Sequence, residues 1–429
     1  MLKSATLCLA LALSSAAAQT PRDPVVLPSA TALQTETDEY TRYELLDPET
    51  ASFRIYYEVT ATTAGARFFY NPIRKGSVAT DESVTDAMTG KPLEFHVVHG
   101  SDAKADPLMA KADAETDYIR VTLARPVPEH GQARVIILKT YKDPKSYFRE
   151  GAGIVFNRPL GIRRDKIVLP PGYEVTGLTV PSQILLEPDG RVAISFMHAG
   201  AGEAPLIIHA AKDAQTGEAS KPHPVTAQRS WESPFQGPGE RARLAERAHQ
   251  DRDIVYFLQQ PETHAFSLYH DYTESRPGIN AYGNVVREGS QASNPSAYVL
   301  DTGDVLPTKL MSGAEMHTAK YNVGEEVDDK ASVVVIPFAA AVKQGETLRL
   351  RISETYTAPV SYKLDGDELV FDRSLGRPRN AVVLPSGWYL TASAEPATVS
   401  QLPDGRIRLD FWDGQPEAVD VLIKARRRK

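Results

Sequence analysis

Residues 53–59, Phe53-Arg54-Ile55-Tyr56-Tyr57-Glu58-Val59, alternate between apolar and polar side chains. Successive residues of a strand point to opposite faces, so Phe53, Ile55, Tyr57 and Val59 share one buried face. Phe68-Phe69-Tyr70 predicts a second strand, stopped by Asn71-Pro72. Residues 117–123 (DYIRVTL) and 134–139 (RVIILK) predict two more, with turn-forming Pro128-Glu129-His130-Gly131 between them. The apolar runs 153–156 and 166–169 read as short strands covered on both sides. Residues 184–186 and 191–196 flank Pro188-Asp189-Gly190, where proline pre-sets the first turn angle and glycine accepts a positive φ, so a hairpin is expected. Residues 206–208 close this first series. One helix is predicted, over 240–250 (ERARLAERAHQ), from strong helix formers and Glu/Arg spacing. Its apolar face is only Ala242, Leu244, Ala245 and Ala248, which suits a solvated brace at a domain junction.

The strand pattern is written twice. At a constant offset of 215, residues 140–196 and 355–411 share 23 identities in 57 positions. Pro261-Glu262-Thr263 repeats Pro48-Glu49-Thr50 at an offset of 213, and Gly278, Asn284, Arg287, Gly289 and Ser290 repeat Gly65, Asn71, Arg74, Gly76 and Ser77. Many short strands, turn signals between them and no long helices point to an all-β fold: two tandem antiparallel β-sandwich domains from an internal duplication, joined by a linker with one short helix. The expected boundaries are a signal peptide at 1–18, an extended leader at 19–39, one sandwich at 40–212, a Gly/Pro/Ser-rich linker at 213–253 and the second sandwich at 254–429, ending in the basic tail Arg426-Arg427-Arg428-Lys429.

Composition narrows the setting. Lys3, the apolar run 5–13 and Ala16-Ala17-Ala18 before Gln19 form a secretory signal pattern, so a secreted or periplasmic protein is expected, cleaved after Ala18. The only cysteine, Cys8, falls inside that signal, which leaves a mature chain held by packing and not by disulfides. No later stretch has the apolar length of a membrane span. The formal net charge of -7 argues against nucleic acid as a partner.

Candidate chemistry is sparse. No His-Glu-x-x-His, Gly-x-Ser-x-Gly or Gly-x-Gly-x-x-Gly motif occurs, so no metal or cofactor is implied. The pairs His96/His99 and His264/His270 are the nearest approach to metal-ligand spacing; the latter two are expected on one face of a strand. The residues written twice are the weak binding candidates. Tyr147 and Tyr362 suit either a sugar-stacking platform or a buried ring whose hydroxyl is satisfied on backbone. Arg158 with Arg164, and Arg373 with Arg379, suit either an anionic ligand or pairing between strands. Trp388 and Trp412 add indole surface in the second repeat, and Trp231 stands in the linker. The opening residues 43–60 resemble the first strands of the β-saddle domain that precedes catalysis in zinc aminopeptidases; the zinc motif of that family is missing here.

The expected function is non-catalytic binding of an envelope glycan or protein partner, at the groove between repeats or near Trp388 and Trp412. Two alternatives stay open. One is a carboxylate-dependent hydrolase of polysaccharide or peptide, which needs two converging acids, one with a perturbed pKa. The other is a structural spacer.

Overall fold

The computed structural model describes residues 33–200, 202–212, 246–414 and 418–428. The expected signal with Cys8, most of the leader, the linker through residue 245 and Trp231 lie outside the described residues. The chain is nearly all β, in two groups of sheets.

The first unit is built on a seven-stranded sheet. Its order is Gln183–Leu186, Val192–Met197, Arg164–Val168, Glu36–Leu45, Ser52–Ala61, Ala133–Lys142 and Val78–Asp86. A four-stranded sheet (Tyr173–Leu178, Ile207–Lys212, Gly153–Asn157, Tyr147–Glu150) and a three-stranded one (Phe68–Pro72, Asp117–Thr122, Phe95–His99) complete the unit. The second unit has the same plan. Thr398–Gln401, Ile407–Trp412, Arg379–Val383, Asp253–Leu258, Ala265–Glu274, Leu348–Thr357 and Gln291–Val299 follow in the same order, extended by Val305–Leu306. It too has a four-stranded and a three-stranded sheet.

Register recurs as well as order. Tyr43 pairs with Ile167 in a parallel ladder, and Tyr256 with Val382 in another. These are the parallel pairs in otherwise antiparallel large sheets. Val59 opposes Val135, and Tyr272 opposes Leu350. Each unit carries a bulge in the strand beside the long hairpin, centred on Asp81 (φ 56°) in one and Asn294 (φ 50°) in the other. Asp and Asn tolerate the left-handed region better than most residues, which is why the chain can kink there.

The expected hairpin at 187–191 is present, with Gly190 at φ 83°, and Gly366-Asp367 closes a two-residue hairpin between Asp365 and Glu368. Three expectations need correction. The first sandwich does not begin at Tyr40: its strand starts at Glu36, and Gln34 already bonds the backbone of Tyr70. The described end of the expected helix, Arg247–His249, is a turn, because Glu246, Arg247 and His249 are each held by side chains of the flanking sandwiches. His264 lies outside the strand that holds His270, in a left-handed turn after Pro261–Thr263.

Among the described residues, the two units are joined by polar contacts. Arg134 makes a two-pronged ion pair with Asp301, both contacts at 2.8 Å, and Asp301 is fully buried. Arg125 donates to the Asp301 carbonyl, Gln132 N to the Leu300 carbonyl, and Thr347 N to the Met88 carbonyl. Gly131 allows that approach: a Cβ there would lie 2.3 Å from the Leu300 oxygen. Below it, Glu246 bonds Lys166 and Tyr40 of the first unit, while its neighbour Arg247 pairs with Asp413 of the second.

Breaking a buried pair from one side strands the other charge. Asp301→Ala is therefore expected to lower the unfolding free energy by about 3–5 kcal/mol, and adding Arg134→Met should restore most of it. Chemical denaturation of the single and double variants measures this; equal losses in both would show that the pair does not hold the seam.

Candidate functional site

Tyr147 and Tyr362 are fully buried corner pins. Tyr147 donates to the Leu46 carbonyl at 2.8 Å, and Tyr362 donates to the Gln259 carbonyl. Their rings have no face left for a ligand. Trp388 is likewise core, 2% exposed, with its indole N–H on Gln260 and the Arg427 guanidinium over its ring. Trp412 is half-buried and opposes Arg379 across a strand pair. The second repeat therefore offers no open indole surface at Trp388.

The paired arginines separate. Arg164 lies on the face of the large sheet that meets the seam, donating to the Ala248 carbonyl with its guanidinium 5.8 Å from the Tyr40 ring. Arg158 lies on the opposite, inward face. Its guanidinium sits 5.4 Å from the Phe53 ring, 5.7 Å from Tyr141 and 5.9 Å from Tyr43. Arg373 is placed the same way in the second unit, 5.3 Å from Phe266 and 5.7 Å from Tyr356. Arg379 shares the outer position of Arg164. Arg158 and Arg164 do not converge on one ligand, and neither do Arg373 and Arg379.

A belt of polar groups crosses each interior beside this guanidinium. The inward face of strand Ala133–Lys142 reads Val135, Ile137, Lys139, Tyr141; the matching face of Leu348–Thr357 reads Leu350, Ile352, Glu354, Tyr356. One charged residue thus interrupts an apolar stripe at equivalent places, cationic in one unit and anionic in the other. A repeated asparagine serves both. Asn71 accepts from the Lys139 ammonium at 2.5 Å, whereas Asn284 donates its amide to Glu354 at 2.5 Å and to the Tyr356 oxygen at 3.1 Å. An amide offers an acceptor at one end and donors at the other, so the same residue suits either charge. In the second unit His270 joins the belt, its Nδ1 3.1 Å from the Tyr282 hydroxyl. The belt there divides the apolar core: Leu268 and Tyr356 belong to one cluster, Tyr272 and Ile352 to the other. In the first unit Tyr57 stands where His270 would, and the core is continuous.

An open cavity of about 350 Å³ reaches this belt in the first unit. Tyr43, Tyr57 and Tyr141 supply its aromatic wall, and Asn71, Lys139 and Arg158 its buried polar groups, with Arg74, Glu36 and Glu203 at the exposed rim. Burial, reinforced by the Arg158 charge, pushes the Lys139 ammonium down to about 7. Burial pushes the Glu354 carboxyl up to about 7, against the opposing bond from Asn284. Burial also holds His270 neutral, well below its ordinary value, with nearby arginines adding to the effect.

Sequence reasoning passed over Lys139, Glu354 and Asn71 as site residues. The signal was there: a charge on the apolar face of an alternating strand, at positions that differ between repeats.

No family model and no curated protein matches the chain. Among solved structures it is similar to an M1 zinc metallopeptidase from Deinococcus radiodurans, at 9% identity and a TM-score of 0.28, over 42% of each chain. An aminopeptidase N family protein from Idiomarina loihiensis matches at 13% and 0.23, over 40% of this chain and 29% of that one. Collagen adhesin from S. aureus matches at 8% and 0.17, over 80% and 86%. The chain spans under half the length of the metallopeptidases it matches, and at these scores the likenesses carry no functional argument.

The two charged belt residues set opposite pH dependences. Glu354, raised from 4.5 to about 7, keeps its proton longer when folded, so its contribution to stability is present below 4.5 and lost as pH rises to 7. Lys139, lowered from 10.5 to about 7, loses its proton earlier when folded, so stability returns as pH rises above 7. Each slope is at most about 1.4 kcal/mol per pH unit. Glu354→Gln should flatten only the acidic limb and Lys139→Met only the alkaline limb of stability against pH. Unchanged limbs in these variants would contradict the burial of these charges.

Proposed function

We propose that this protein is a non-catalytic binding protein, secreted or periplasmic, and that the cavity of the first sandwich is its ligand site. The observation that carries this reading is the cavity itself. Its volume falls within the range of small-molecule pockets, about 300–1,000 Å³. It sets three tyrosines beside a few convergent hydrogen-bonding groups, a lining whose polar groups would orient the hydroxyls of one sugar ring. The ligand class that suits it is a short envelope glycan, entering past Arg74 and Glu203.

The secretory pattern at residues 1–18 supports the location. Among the described residues, no helix is long and apolar enough to cross a membrane. The hydrolase alternative has one supporting observation, the raised carboxyl of Glu354. The groups bonded to that carboxyl and its asparagine are Asn284 and Tyr356, and the reading requires a second acid beside it.

Calorimetric titration of the full chain with oligosaccharides released from bacterial envelopes tests the proposal. Binding is expected, and Arg74→Ala or Glu203→Ala at the exposed rim should weaken it by about tenfold, roughly 1.4 kcal/mol, without loss of folding. Affinity unchanged in both variants, or turnover of the glycan in place of binding, would sink the reading.

A further inference from the structure

The first unit supplies the Arg158 guanidinium with a carboxylate. Asp143 accepts from Arg158 Nη1 at 2.9 Å, from Ser146 Oγ at 2.7 Å and from Ser77 Oγ at 3.3 Å. The backbone N–H groups of Lys145 and Ser146 add two contacts at 3.2 Å. Five donors therefore converge on one acidic side chain, and Arg158 is 5% exposed. Burial alone would raise the Asp143 pKa; these bonds and the Arg158 charge hold it below the ordinary carboxylate value.

The second unit keeps the donors and lacks the acceptor. Arg373, Ser361 and Ser290 stand at the places of Arg158, Ser146 and Ser77, but Ala358 replaces Asp143. The backbone around this place is the same. Asp143 N bonds Ala51 O as Ala358 N bonds His264 O, and Tyr147 N bonds Asp143 O as Tyr362 N bonds Ala358 O. Asn157 N bonds Ser146 O as Asp372 N bonds Ser361 O, both at 2.8 Å. The guanidinium is also in register, within 0.1 Å of its counterpart's distances to the two equivalent rings. Arg373 is 8% exposed; among the described residues its Nη1, the atom by which Arg158 holds Asp143, is buried with no hydrogen-bond partner, and its Nε, like that of Arg158, has none. A second guanidinium, Arg287, is nearby; burial and the Arg373 charge hold it below the ordinary arginine value. Glu354 does not fill the gap, because its bonded partner is Asn284.

A buried cation without a counter-charge is costly, and ring faces offset only part of that cost. We propose that the second sandwich binds a small monovalent anion, a carboxylate or a halide, in the place of the Asp143 side chain, held by Arg373, Ser361 and Ser290. Val360, next to Ser361 and two residues from Ala358, is 81% exposed, so the turn that carries the site reaches solvent. This site is independent of the ligand cavity in the first sandwich.

Thermal unfolding of the full chain tests it, in chloride or formate against bulky gluconate at constant ionic strength. Tm is expected to climb by several degrees with chloride or formate and then to saturate, as for a ligand that binds only the folded state. Ala358→Asp supplies the missing carboxylate, so it should raise Tm in gluconate and abolish the anion response. Arg373→Met removes the stranded charge, so it should fold and show no response. Broadening of the ³⁵Cl resonance by the unaltered protein, absent with Ala358→Asp, is the second readout. A response to formate alone identifies a carboxylate site, and a response to both a general small-anion site. A Tm indifferent to the anion, or a response that survives in either variant, overturns the proposal.

Discussion

A guanidinium held among aromatic rings sits at the centre of each sandwich, and the neighbouring structure follows from the need to keep it there. Arg158 and Arg373 are both buried, and each lies against rings from the strands that build the large sheet. An arginine in that position forces the adjacent interior to be polar. A belt of asparagine, lysine or glutamate, and tyrosine lies beside it, and in the first unit it borders an open cavity. The same strand order and register carry two different charge arrangements. The frame is thus separable from the chemistry it holds.

The seam between units obeys the same physics at larger scale. Asp301 is fully buried yet paired through both oxygens to Arg134, and backbone groups of Leu300 and Met88 complete the contact. A seam of this kind fixes orientation, since directional bonds at short range tolerate little sliding. It also places bonded pairs along the boundary that the sequence suggested as a contact groove.

Much of the fold was legible because strand periodicity is a local property. The alternation at residues 53–59 and the Pro-Asp-Gly hairpin at 188–190 need only their own side chains to be understood. The strand Glu36–Leu45 was misread at its start, because Glu36 and Thr37 are exposed and carry no apolar period. The turn at Arg247–His249 escaped for another reason: partners more than 50 residues away outcompete its helix propensity. At the site, emphasis on residues shared by both repeats selected Tyr147 and Tyr362, and emphasis on added indole surface selected Trp388; all three are architecture. The informative positions were those that differ, Lys139 against Glu354 and Asp143 against Ala358, where a charge changes while its surroundings do not. Arg158 and Arg373, like Asn71 and Asn284, are shared by both units and surrounded by change.

Diffraction from crystals of the full chain soaked in bromide puts the central claim to the most direct test. Two matched cradles, one neutralised by its own Asp143 and one left open at Ala358, predict an anomalous bromide peak beside Arg373 and none beside Arg158. Peaks of equal height at both arginines, or neither bromide nor soaked formate beside Arg373, would contradict it.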